Sequence, residues 1–162
     1  MAINMFIKFE DPALAGGSTA EGHKDEIEVL SWNHGFAQPT SPTRSTAGGG
    51  TVEQANHQNF TFTKYLDAST NDLLKMCWSG KQIGKATLRC YRADGARDNQ
   101  PVEYLQVIMT HVIISNFSVS GGPGDVPVEN VSLDYGTVQY IYKQQKHDDE
   151  SAMHDLRSRA IQ

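Results

Sequence analysis

The sequence predicts a mainly β fold: a two-sheet antiparallel β-barrel with one short flanking helix at about residues 70–79. Three features carry the prediction. Apolar and polar residues alternate with period two along several runs. Clusters of Gly, Pro, Asp and Asn separate those runs and make hairpins. A single stretch shows helical i,i+4 spacing.

The opening run places Ile3, Met5, Ile7 and Phe9 on one face, with Asn4, Lys8 and Glu10 opposite, and reads as a strand. Phe6 interrupts the polar face, so both faces are partly covered. Asp11 to Gly22 reads as loop, because Pro12, Gly16, Gly17 and Gly22 deny it a regular pattern. A second strand is expected from about Glu26 to Phe36. Ile27 and Val29 share one face of it; Leu30, Trp32 and His34 share the other. The connection from Ala37 to Gln58 is rich in Pro, Ser, Thr and Gly. A loop of that length inside a compact domain calls for a functional reason.

Asn59 to Tyr65 alternates aromatics with threonines, a third strand. The helix follows. Ser69 or Thr70 can cap it, Asp72 suits the positive end of its dipole, and Gly80 is placed to stop it. Leu73 with Cys77 and Leu74 with Trp78 give its expected apolar face. Lys85 to Arg92 reads as a strand with Ala86, Leu88 and Cys90 inward, joined to the next through Asp94-Gly95. The run from Val102 to Ser120 would reach ~60 Å unbroken at ~3.3 Å per residue. A bend or bulge is therefore expected near Thr110 and His111. The last strand, about Val128 to Lys143, changes parity at Gly136-Thr137, which a β-bulge at Gly136 would explain. The charged segment 147–162 is expected to be disordered or a short helix.

A chain of 162 residues points to one domain, here 1–146, followed by the tail 147–162 of unknown role. With 14 Lys and Arg against 19 Asp and Glu, the net charge of −5 is a poor match for nucleic acid or an anionic membrane. No run of apolar residues is long enough to span a bilayer. Met1 to Glu10 lacks a basic region, so it does not read as a secretory leader. Cys77 and Cys90 lie among apolar neighbours and read as reduced thiols.

Catalytic patterns are absent. Six histidines, at 23, 34, 57, 111, 147 and 154, form no HxH, HExxH or Cys/His spacing, so no metal or cofactor is expected. Gly48-Gly49-Gly50-Thr51 lacks the lysine and the strand-to-helix setting of a phosphate loop. Glu26 and Glu28 share a strand face that reads as solvated. No serine nucleophile elbow occurs. A non-enzymatic role is expected.

Several ordered stretches carry a resemblance. They are Met5-Phe6-Ile7-Lys8, Glu26-Ile27-Glu28-Val29-Leu30-Ser31-Trp32, the glycines 48–50 and Asn59-Phe60-Thr61-Phe62-Thr63-Lys64-Tyr65-Leu66-Asp67. Ser79-Gly80-Lys81, Ala86-Thr87-Leu88-Arg89, Val102-Glu103-Tyr104-Leu105 and Glu129-Asn130-Val131-Ser132-Leu133 continue the set. Over roughly residues 1–145 the chain resembles the Hcp family, the haemolysin-coregulated proteins of the bacterial type VI secretion system tube.

The resemblance implies a homo-hexameric ring, stacking of rings into a tube, and export of that tube by a contractile sheath. It implies contacts with sheath, spike and baseplate proteins and carriage of small effectors in the lumen. It implies assembly in the bacterial cytoplasm, then secretion outside or into target cells. It assigns ring stacking to the extended loop 37–58, through Ser41, Arg44, Gly48, Gly49, Gly50 and Thr51, and a lumen-facing position to Asn33. His34 departs from the family pattern, where an aromatic or apolar residue is expected. The residues alone leave two other readings open: a monomeric β-barrel module for a small ligand, and a hydrolase of unrecognised type.

Overall fold

The computed structural model describes residues 4–39, 54–93, 101–143, 150–158 and 161–162. Strands β1 (Met5–Glu10), β2 (Ile27–Glu28), β3 (Ser31–Asn33), β4 (Phe36–Ala37), β5 (Asn56–His57) and β6 (Phe60–Tyr65) precede helix α1 (Thr70–Ser79). Strands β7 (Ile83–Ala93), β8 (Pro101–Ser120), β9 (Val128–Asp134), β10 (Thr137–Tyr142) and β11 (Glu150–Asp155) follow. All the pairings are antiparallel.

Strand β8 is the spine of the fold. Its first half lies between β7 and β10, and its second half pairs with β9. The expected bend is present: His111 sits at φ +54, a left-handed conformation costly for a residue with a Cβ. The path runs β2-β1-β7-β8-β9-β6-β3. Its two ends are neighbours in sequence. Val29 N–H donates to the Met5 carbonyl and Leu30 N–H to the Thr63 carbonyl, at 3.0 and 2.8 Å. One short segment thus pairs first with β1 and then with β6, joining the two sheets. This corrects the single strand expected over 26–36. The chain breaks at Val29-Leu30 to change sheets and again before β4. The parity change between Ile27/Val29 and Leu30/Trp32/His34 marks that crossing.

A second crossing follows β9. Tyr135 is buried like Leu133 and Val131, and then Val138 is buried with the opposite parity. No bulge is needed. The chain leaves β9 at Asp134 and re-enters beside the first half of β8 as β10, while Gly136 N–H donates to the Thr110 carbonyl.

The space between the sheets is filled by Ile7, Phe9, Phe60, Phe62, Leu88, Met109 and Leu133, each at most 1% exposed. Each such side chain contributes about 1.5–3 kcal/mol through its burial. Lys64 and Glu129 share this interior. Alternation along β6 puts Lys64 on the face of Phe60 and Phe62, and alternation along β9 puts Glu129 on the face of Val131 and Leu133.

Helix α1 ends as expected, on Gly80 at φ 63. Its Ser69 cap makes no side-chain hydrogen bond to the helix N-terminus. Its Ser69 hydroxyl instead donates to Asp67 Oδ1. The buried face is Thr70, Leu73 and Met76, not the expected Leu74–Trp78 pair. Trp78 is 76% exposed. The tail also departs from expectation. Residues 150–155 form β11, paired along β10 from Thr137↔Asp155 to Tyr142↔Glu150.

Candidate functional site

The base of the 37–58 connection is a two-strand hairpin. Phe36 pairs with His57 and Ala37 with Asn56, so β4 and β5 form a short arm apart from the main sheet. Residues 40–53 lie outside the described residues, and with them the stacking positions Ser41, Arg44, Gly48, Gly49, Gly50 and Thr51. Asn33 is described. It is exposed, at the end of β3, opposite Thr61 of β6.

The arm is tied down by a chain of five side chains. His34 Nδ1 is hydrogen-bonded to the Tyr140 hydroxyl, and His34 Nε2 lies 2.7 Å from the Tyr135 hydroxyl. The same Tyr135 hydroxyl lies 2.6 Å from His57 Nδ1, and His57 Nε2 lies 2.7 Å from His154 Nδ1. Phe36 packs over the chain, 4.4 Å from the His34 ring and 5.0 Å from the His57 ring. These contacts gather the β3–β4 link, β5, the β9–β10 link, β10 and β11 at one place. His34 is the centre of this packing.

Burial sets the protonation of the chain. It drives the His34 pKa down to about 4, helped by the nearby His57 and opposed by a backbone hydrogen bond with Gln58. Burial, with His154 alongside, also lowers that of His57. Burial raises Tyr135, and pushes Tyr140 up to about 12. At neutral pH His34 and His57 are therefore uncharged and both tyrosines keep their protons.

Other groups offer little reactivity. Among the described residues no group of three or more His, Cys, Asp or Glu is arranged to hold a metal. Glu26 is buried, not solvated as expected; its carboxylate meets His23 Nδ1 at 3.0 Å and Arg89 at 3.8 Å. Glu28 is half-buried. Both cysteines are free thiols, and burial pushes Cys90 up to about 11, so it stays protonated. His111 is exposed and held by Gln82 and Arg157.

The surface does carry apolar side chains. Tyr65, Leu66, Val119 and Val126 are all about half exposed or more. The register Tyr65↔Val128, Val119↔Glu129 and the bond from Leu66 N–H to the Pro127 carbonyl bring them to one end of the β6-β9-β8 sheet. Tyr65, opposite Val128, and Val119, opposite the inward-facing Glu129, lie on opposite faces of that sheet, so these are separate exposed positions at one end.

A family model described as "Type VI secretion system effector, Hcp" matches residues 6–142. The chain belongs to the Hcp family. Protein hcp1 of Pseudomonas aeruginosa is 41% identical over 149 residues, covering 91% of this chain and 88% of that protein. The major exported protein of the same organism is 27% identical over 134 residues, covering 79% of this chain and 75% of that protein. The crystal structure of Hcp1 from Salmonella typhimurium matches with a TM-score of 0.80 at 31% identity, covering 99% of both chains. The mainly β, two-sheet architecture with one helix is thus that of solved Hcp proteins.

The histidine–tyrosine chain of this Hcp protein escaped sequence reasoning. Its members are 78 to 106 residues apart along the bonded pairs, and no local spacing announces them. The one available signal was His34 itself, a polar ring where an apolar one is expected.

Proposed function

We propose that this Hcp chain is a structural subunit of a type VI secretion tube, assembling as hexameric rings that stack and are exported with small effectors in the lumen. Membership of the Hcp family across residues 6–142 is the observation that carries this reading. The surface is consistent with it. A ring requires two different patches per protomer, meeting head to tail. The exposed Tyr65 and Leu66 at the end of β6 are one candidate contact position. Strand β3, which among the described residues pairs with β6 alone, offers an edge that suits a neighbour. Asn33 at that edge is polar and exposed, as a lumen-facing position requires. The 37–58 connection, which includes Ser41, Arg44, Gly48, Gly49, Gly50 and Thr51, is the proposed stacking element between rings. Sheath, spike and baseplate proteins are the proposed partners. Assembly is placed in the bacterial cytoplasm, with secretion after it.

A monomeric ligand-binding barrel has one observation in its favour. An open pocket of about 320 Å³ lies between the arm and the β10–β11 pair, lined by Phe36, Val138, Tyr140 and Met153 among others. Such a volume suits a small ligand. The interior of the barrel is closed to one, because aromatic and aliphatic side chains fill it.

Negative-stain electron microscopy of the purified protein separates the two readings. Six-fold rings with an open centre support the tube subunit. A field of single small particles at every concentration overturns it.

A further inference from the structure

Taken as a linear array, Tyr140–His34–Tyr135–His57–His154 has an exact balance of donors and acceptors. In the neutral chain Tyr140 O–H donates to His34 Nδ1, and His34 Nε2–H donates to the Tyr135 oxygen. Tyr135 O–H then donates to His57 Nδ1, and His57 Nε2–H donates to His154 Nδ1. All four links are satisfied, and the reverse direction satisfies them equally.

One added proton is tolerated. If His57 takes it, that ring donates from both nitrogens, Tyr135 turns its O–H to His34 Nε2, and His34 Nδ1–H donates to Tyr140. Every link survives. A second proton is not tolerated. Placed on His57 and His154 together, two protons set one N–H against another across 2.7 Å. Placed on His34 and either of the others, they leave the Tyr135 oxygen accepting twice and its own O–H without an acceptor. An unsatisfied buried donor is costly, and adjacent cations add repulsion.

We propose that the chain is an acid-sensitive latch, in which neutral imidazoles hold the β4–β5 arm and strand β11 on β10 and a second proton releases them. The geometry makes it a latch, because each element to be held supplies a link. The arm supplies His57, β11 supplies His154, and the sheet supplies Tyr135 and Tyr140. Gln54, on the arm side of β5, reaches the Leu156 carbonyl at 3.4 Å, a weak bond beside the chain.

Among the described side chains, no carboxylate is placed to neutralise the added charge. Facing the cluster from the β3–β4 link is His34, from β5 His57, from the β9–β10 link Tyr135, from β10 Tyr140 and from β11 His154. Asp134, next to Tyr135, gives its carboxylate to the Tyr135 backbone N–H at 3.0 Å. Asp155, next to His154, gives its own to the backbone N–H groups of Arg157 and Ser158. Beside β11, the backbone oxygen of Gln162, the last residue, accepts the Met153 N–H. The lowered pKa of His34 and of His57 agrees with this lack of a counter-charge.

Hydrogen exchange followed by mass spectrometry tests the latch on the full chain in its native assembly. Measurements at pH 7 and about pH 5 are compared, since ordinary carboxylates stay largely ionised at the lower value. After correction for intrinsic pH dependence, peptides covering 36–37, 56–57 and 150–155 are expected to exchange about tenfold faster at the lower pH. Peptides from β7 and β8 are expected to hold their protection. The double variant His57→Gln, His154→Asn keeps amide groups that link without titrating, and its arm and β11 should exchange alike at both pH values. Equal protection at both pH values in the unaltered chain overturns the proposal, as does the same acid loss in the double variant. Should that variant misfold, NMR titration of the unaltered chain decides. Histidine titrations linked to shifts in the 36–37 and 150–155 amides support the latch, and titration without such shifts overturns it.

Discussion

The Lys64 ammonium and the Glu129 carboxylate meet at 2.5 Å inside the barrel, with neither side chain exposed to solvent. The pair is fully partnered. Lys64 also donates to the Tyr65 carbonyl and approaches Asp67 at 3.0 Å, while the Thr70 hydroxyl donates to the other Glu129 oxygen at 2.8 Å. It joins β6, β9 and the first residue of α1. Two buried charges cost desolvation, so the pair fixes how these elements meet more than it adds stability.

Removing one partner strands the other in an apolar interior. Glu129→Gln is therefore expected to destabilise the fold by about 3–5 kcal/mol, as is Lys64→Met. The double variant Lys64→Met, Glu129→Leu is expected to cost less than the two single changes added together. Urea unfolding of the four proteins forms a double-mutant cycle that measures the coupling. Additive losses would show that the two charges do not depend on each other.

The cysteines should react in a fixed order. Burial keeps the Cys90 thiol protonated, and Cys77 is half-buried on α1. A thiol reagent at neutral pH is expected to modify Cys77 in the native protein and Cys90 only after unfolding. Peptide mapping after timed labelling checks this, and early labelling at Cys90 would contradict the closed core.

Gly16 lies against the backbone that leads into β2. A Cβ built there would sit 2.4 Å from the Glu26 carbonyl oxygen, and the atom it meets is backbone that cannot swing aside. Gly16→Ala is expected to cost about 1–3 kcal/mol by overpacking. Gly122→Ala, with open space around its Cβ, is expected to change stability by less than about 0.5 kcal/mol. Thermal unfolding of both variants compares them directly.

Stability should fall on mild acidification through His34. Its folded pKa of about 4 lies below the ordinary value of 6.5, so the unfolded chain binds the proton more tightly. The associated stability is fully present above about pH 6.5 and is lost as pH falls toward about 4. His34→Gln removes this titration. Its loss of stability between pH 7 and 4.5 is expected to be smaller than that of the unaltered chain, and an equal loss would contradict the assignment.

Much of the architecture was legible because strand alternation records which side faces the core. Ile7 and Phe9, Ala86 and Leu88, and Val131 and Leu133 are buried as their parity requires. The bend at His111 follows from a run too long for one flat sheet. The same alternation places Lys64 with Phe60 and Phe62, and Glu129 with Val131 and Leu133. Their polarity concealed a burial that their positions announced. Trp78 misled for the opposite reason: its size suggested core, yet the face of α1 is set by Thr70, Leu73 and Met76. Strand β11 was hidden because its charged residues look like a solvated tail, and only pairing with β10 orders them. The latch could not be read at all, since contacts between distant segments leave no mark on local spacing.

The mass of the purified protein in solution, by size-exclusion chromatography with light scattering, bears most directly on the tube reading. Six times the 17.9 kDa chain mass is the predicted result, with a hexameric ring as its explanation. A single chain mass held across a wide concentration range would contradict it, and would turn attention to the pocket between the arm and the β10–β11 pair.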